Sequence, residues 1–201
     1  MNERGGTHDR RATVKRETAE TRIAVTLELD GRGDAQIATG VGFLDHMLHA
    51  LAKHARLDLK LSCEGDLHID DHHTAEDCAL ALGEALDQAL GERRGIRRFG
   101  SAYAPLDEAL ARAVVDLSGR PFAKVELGLT REQLGTLACE NVGHVLRSLA
   151  VASRSTLHVE VLEGENDHHR AEAAFKATAL ALRAAIARDG GDVPSTKGVL
   201  V

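Results

Sequence analysis

DDHHTAED (70–77) and NDHHRAEA (166–173) are two versions of one motif, a histidine pair followed three residues later by a glutamate. Their surroundings match as well. Upstream of each lies a short stretch with a matching single histidine, His46 in GFLDHMLHALA (42–52), which also holds His49, and His144 in CENVGHVLRSLA (139–150). Between the single histidine and the pair runs an alternating stretch that ends in Glu-Gly, at Glu64-Gly65 and Glu163-Gly164. The single histidine precedes the pair by 26 residues in one half and 24 in the other. Self-similarity at this level marks a duplicated unit. It decides the fold, because whatever one half builds the other builds too.

Leu57, Leu59 and Leu61, like Leu157, Val159 and Val161, alternate with polar residues, so half-buried strands are expected over 57–63 and 156–162. The Ala/Leu run after each histidine pair predicts helices over 73–90 and 168–188, with Asp71 and Asp167 as N-caps. Shorter helices are expected near 43–54 and 139–151. Alternating segments at 11–17 and 21–29 open the chain, with a turn at Asp30-Gly31 and a return at 34–39. Two more, 110–117 and 121–127, are joined by Ser118-Gly119-Arg120-Pro121. The implied class is α+β: duplicated strand-helix half-domains, with antiparallel or mixed four-stranded sheets packed on a layer of helices. Residues 1–10 read as a disordered tail, 11–95 as the first half, 96–188 as the second, and 189–201 as a C-terminal tail.

Composition narrows the function. A chain of 201 residues, 43% hydrophobic, can bury a sizeable core. With four Phe, one Tyr and no Trp that core is aliphatic, and eleven histidines outnumber the aromatics. A net charge of −6 offers no general field for nucleic acid. No apolar run reaches the roughly 18 residues of a membrane span, and the polar start lacks the apolar stretch of a secretory leader. Cys63, Cys78 and Cys139 form no CxxC pair and read as thiols in a reducing cytoplasm.

The repeated histidines have the spacing of metal ligands. On a helix, positions i and i+4 share a face, which stacks His72 on Glu76 and His168 on Glu172. The adjacent His73 and His169 point about 100° away and serve a second ion more readily than the same one. Each half then offers His, His-His and Glu: His46, His72, His73, Glu76 and His144, His168, His169, Glu172. Two helical residues cannot complete a site, so ligands must be exchanged between halves or between subunits. Pseudo-symmetry favours one ion on His72, Glu76, His144 and His169, and the other on His46, His73, His168 and Glu172. Nitrogen-rich donors without sulfur favour late divalent ions by raw affinity, and open positions suit an octahedral ion that accepts substrate. One asymmetry stands out. The line His168–Glu172 continues to Lys176, whereas His72–Glu76 continues to Leu80. An ammonium two turns from a metal suits an extended anion. Arg97–Arg98, Arg120 and the Pro-Ser-Thr-Lys-Gly turn at 194–198 add further cations and hydroxyls near predicted turns.

With these motifs, together with RETAET (16–21), GFLDHMLHALAKH (42–54), DLSGRP (116–121), NDHHRAEAAFKA (166–177) and PSTKGVL (194–200), the chain resembles the imidazoleglycerol-phosphate dehydratases of histidine biosynthesis from about residue 11 onward. The resemblance implies two fused halves, particles of 24 subunits with active sites at subunit contacts, and two manganese ions per active site. It assigns the eight residues above as ligands. It implies substrate contacts at Glu20, His46, His54, His72, Arg98, Arg120, His168, Lys176, Ser195, Thr196 and Lys197, so the C-terminal tail becomes substrate-binding. Catalysis is expected of Glu20, His46, His54, Glu76 and Glu172, with Glu20 the first candidate for proton transfer and His54 or a ligand histidine its rivals. His49, one turn from His46, departs from the family pattern.

The implied reaction turns D-erythro-imidazole-glycerol phosphate into imidazole-acetol phosphate and water. No carbonyl acidifies the hydrogen removed, so the ring, held as a metal-bound imidazolate, would expel the hydroxyl to give a diazafulvene. Two other classes use the same histidines: a two-metal phosphoester hydrolase, and a metal-storage protein without catalysis. Neither accounts for the full set. The hydrolase needs a bridging carboxylate that is not evident, and storage leaves Glu20, Lys176 and the Ser-Thr-Lys turn unexplained.

Overall fold

The computed structural model describes residues 9–196, Gly198 and Leu200. The first half contains β1 (Arg11–Glu17), β2 (Thr21–Glu28), β3 (Ala35–Ala38), α1 (Gly42–Ala55), β4 (Asp58–Gly65) and α2 (His72–Leu90). The second contains β5 (Phe99–Leu106), β6 (Ala109–Asp116), β7 (Phe122–Glu126), the short pair β8 (Gln133–Leu134) and β9 (Leu137–Ala138), α3 (Cys139–Ala152), β10 (Thr156–Glu163) and α4 (Asp167–Ile186). The duplication is explicit in the topology. One sheet has the order β1-β2-β4-β3 and the other β5-β6-β10-β7. In each, three strands run antiparallel and the last pairs parallel with its neighbour. A parallel neighbour needs a crossover, and α1 and α3 are those crossovers.

The expected strands and helices fall within a residue or two of their observed ends. β5 was not anticipated. Its inward residues are Gly100, Ala102 and Ala104, too small to read as a hydrophobic alternation. They are small because α4 lies directly on them: a Cβ at Gly100 would overlap the Ala181 carbonyl. The helices are Ala-rich and buried nearly all round, as expected of a layer packed between two sheets. The core is aliphatic, with Phe175 its largest fully buried side chain.

The long helix of each half packs on its own sheet and on the short helix of the other half. Thus α2 lies on β1, β2 and α3, while α4 lies on β5, β6 and α1. The helical layer is shared, and this crossing positions the site.

The expected caps are corrected. Asp71 holds the N-cap position of α2 but its side chain makes no capping bond, and the N-cap of α4 is Asn166 rather than Asp167. The His72 amide bonds Asp70 Oδ1, and the His168 amide bonds Asn166 Oδ1. Asp71 instead accepts the Ala138 amide at 2.7 Å, and buried Asp167 accepts the Thr130 and Arg131 amides and the Thr130 hydroxyl. These aspartates tie the long helices to the loop that carries β8 and β9. The end of the expected 1–10 tail packs on the fold. Residues 1–8 lie outside the described residues, but Arg10 is buried, with its guanidinium on Asp30 and the Ile186 carbonyl.

Candidate metal centre

The crossing of helices brings His46 of α1 to His168 and Glu172 of α4, and His144 of α3 to His72 and Glu76 of α2. In each triad, one ligand-type atom from every residue lies within 4.8 Å of the others. In the first triad, Glu172 Oε2 stands 3.0 Å from His46 Nε2 and 3.2 Å from His168 Nε2. In the second, the rings of His72 and His144 stack with centroids 5.0 Å apart, and Glu76 lies 3.7 and 3.3 Å from their Nε2 atoms. Phe43, buried in the core, packs edge-on against His168 and walls one side of the first triad.

Each triad therefore draws on both halves, as the exchange argument requires. His73 and His169 belong to neither, so within a single chain each of the two expected quartets lacks one member. The rings within each histidine pair are nearly perpendicular, 76° for His72–His73 and 85° for His168–His169. Asp66 holds His73 through Nδ1 at 3.0 Å, and Glu108 holds His169 through Nδ1 at 2.7 Å. A proton kept on Nδ1 leaves the Nε2 lone pair free, directed away from the triads. His72 is oriented the same way by the buried Asn141, whose Oδ1 lies 3.0 Å from Nδ1. Asp66, Glu108 and Asn141 escaped the sequence reading. Only Asn141, a polar residue on the apolar side of an amphipathic helix, carries a signal that points to it.

Charge is arranged asymmetrically. Lys176 Nζ lies 2.8 Å from Glu172 Oε1, and no cation occupies the matching place beside Glu76, where Leu80 stands. Burial disfavours ionised Glu172, but Lys176 and then His46 outweigh it and hold the carboxyl down to about 2. Half-buried His54 is pushed down by burial and then by the Lys176 ammonium, so its ring is neutral at pH 7. The Asp66 carboxylate raises His73, and Glu108 raises His169. Glu108 itself is held at about 2 by the Asn166 amide and by His169.

The donors fit a divalent ion. Both triads offer imidazole nitrogen and carboxylate oxygen converging on one point, without thiolate. His144 Nε2 is buried and makes no hydrogen bond among the described residues, although it faces Glu76. An orphaned nitrogen in such a position is costly unless a ligand takes it.

A sequence model of the imidazoleglycerol-phosphate dehydratases matches residues 39–182. The chain belongs to this dehydratase family. It is 55% identical to the imidazoleglycerol-phosphate dehydratase of Kluyveromyces lactis, with 96% of this chain and 98% of that one aligned. It is 60% identical to that of Phaffia rhodozyma, over 96% and 97%. Among solved structures, the Pyrococcus furiosus enzyme in complex with (S)-C348 superposes with a TM-score of 0.81 at 38% identity, covering 93% of this chain and all of that one. The Staphylococcus aureus enzyme gives 0.80 at 35%, covering 89% and 99%. A dehydratase of this family is a hydro-lyase.

Other residues expected to contact substrate sit on separate elements of the chain. Glu20, in the β1–β2 turn, sits 3.6 Å from His73 Nε2. Arg98 adopts a left-handed backbone (φ 70°), pairs with Asp116, and donates from Nη1 to the Pro194 carbonyl. That bond, with the Gly95–Asp192 and Asp189–Gly95 backbone bonds, docks the C-terminal segment with Ser195 and Thr196 beside Arg98. Arg120 follows a turn held by the Ser118 hydroxyl. Lys197 lies outside the described residues. His49 belongs to none of these groups and opens onto a separate surface cavity of about 580 Å³, beside Lys53 and Lys60.

Proposed function

We propose that the chain dehydrates D-erythro-imidazole-glycerol phosphate to imidazole-acetol phosphate, with two manganese ions per active site, in a cytoplasmic homo-oligomer of 24 subunits. The observation that carries this reading is the pair of triads, each assembled from both halves, in a chain of this family. His72, Glu76 and His144 would hold one ion, and His46, His168 and Glu172 the other. His73 and His169, held outward by Asp66 and Glu108, supply the missing ligands to adjoining copies. A bound divalent ion contributes Lewis acidity toward the substrate's ring nitrogens.

The chain's other residues do the rest. Arg98, Arg120, Lys176, Ser195, Thr196 and Lys197 hold the phosphate with cations and hydroxyls. Glu20 exchanges the proton on the carbon beside the departing hydroxyl, within reach of the ring bound at His73. His54, neutral at pH 7, is the second group able to accept a proton. Three free thiols agree with a reducing compartment, and no helix among the described residues is long and apolar enough to cross a membrane.

The test is to incubate manganese-loaded protein with imidazole-glycerol phosphate and assay the ketone product, with a chelated control. Ketone formed only with metal is expected. Inorganic phosphate released instead identifies a phosphoester hydrolase, and metal bound without turnover identifies storage.

A further inference from the structure

Asp77 follows Glu76 directly on α2 and points about 100° away from it, buried against the β1–β2 hairpin. Its Oδ2 accepts the Thr21 hydroxyl at 2.6 Å and its Oδ1 accepts from Arg16 Nη2 at 2.9 Å. Thr21 is itself buried, and its hydroxyl proton is committed to Asp77. The Thr18 hydroxyl, 3.4 Å from Thr21 Oγ1, is therefore the donor in that contact. Thr18 Oγ1 in turn accepts the backbone amides of Glu20 and Thr21, at 3.1 and 3.0 Å. The Glu20 carbonyl accepts the amide of Asp66, whose side chain holds His73. The backbone of Glu20 is thus fixed on both sides, while its side chain stays half exposed.

Among the described residues, the second half has no such device. The position matching Asp77 is Ala173, fully buried. There Glu108, in the β5–β6 turn, bonds the amides of Glu165 and Asn166 directly. A buried carboxylate is costly unless paired, and its presence in one repeat alone asks for a local reason.

We propose that Asp77, acting through Thr21 and Thr18, is a positioning residue that sets the carboxylate of Glu20 for proton transfer. The relay couples the turn carrying Glu20 to the helix carrying His73, so the proton-transfer group and the ring-binding group keep a fixed separation. The inference rests on the reading of Glu20 as the proton-transfer residue.

The test compares Thr21→Val, Thr21→Ser, Thr18→Val and Glu20→Gln, alone and combined. Valine keeps the shape and strand preference of Thr21 and removes only its hydroxyl. Thr21→Val is expected to lower kcat at least tenfold, with KM and bound manganese within twofold, and Thr21→Ser to restore at least half of the activity. Thr18→Val, on the exposed turn, gives the same loss if Thr21→Val fails to fold. The deciding measurement is the double variant Glu20→Gln/Thr18→Val, whose kcat should equal that of Glu20→Gln alone because the relay acts only through Glu20. Full activity in the valine variants beside an inactive Glu20→Gln overturns the relay. So does a multiplicative loss in the double variant. An active Glu20→Gln instead removes the reading on which the relay rests.

Discussion

Glu20 and Lys176 carry different burdens, and kinetics separates them. Glu20 is exposed and makes no tight ion pair, so replacing it with glutamine changes charge without disturbing packing. Glu20→Gln should keep metal and assembly but lose at least 100-fold in kcat, measured under saturating substrate. Lys176 already neutralises Glu172 and stands where an anion would extend from the first triad. Lys176→Ala should raise KM about tenfold with a smaller change in kcat. An unchanged KM would detach Lys176 from the phosphate. The histidines and glutamates of the repeat were legible because two copies could be read against each other. Asp66 and Glu108 were not, since each sits in a turn and its partner is fixed only by the fold. The pairing of triads was half legible: helix geometry turned His73 and His169 away from His72 and His168, but symmetry left open whether ligands pass between halves or between subunits.

The elements meet where side chains are smallest. Gly83 on α2 faces Ala152 and the Leu149 carbonyl of α3, and a Cβ there would come within 2.6 and 2.7 Å of them. Gly83→Ala should destabilise the protein by about 2 kcal/mol, although alanine in a helix interior is intrinsically better by about 1 kcal/mol. The shift of the urea midpoint would measure it, and a stabilised variant would show that α2 and α3 tolerate separation. Most elements were readable because Leu, Val and Ile alternate along them. β5 was hidden by the same economy of volume, since Gly100, Ala102 and Ala104 carry too little hydrophobic signal. The Asp71 and Asp167 carboxylates looked like capping groups because local sequence cannot show a loop packed beside the helix from elsewhere in the chain.

For the whole molecule, pH and metal report on long-range ties. Arg10, and then Arg188 after allowance for burial, hold the Asp30 carboxyl at about 2 against an ordinary 3.8. A depressed folded value stabilises at pH above 3.8, and the contribution is lost as pH falls toward 2. Asp30 is 43% exposed, so water screens part of the interaction, and a contribution of about 1 kcal/mol is expected. Wild type and Asp30→Asn should therefore differ in urea stability at pH 7 and converge by pH 2. A constant difference would mean that Asp30 acts without its charge. Removing metal tests the larger assembly: chelation should shift the mass measured by light scattering toward smaller oligomers. An unchanged mass would argue that contacts other than shared ligands hold the proposed assembly.

The shared helical layer leaves a mark on the history of the chain. Each repeat lends its single histidine to the other's donor set, so neither copy can drift, shrink or be shed without emptying both. A duplication that starts from two interchangeable units has become one indivisible inheritance.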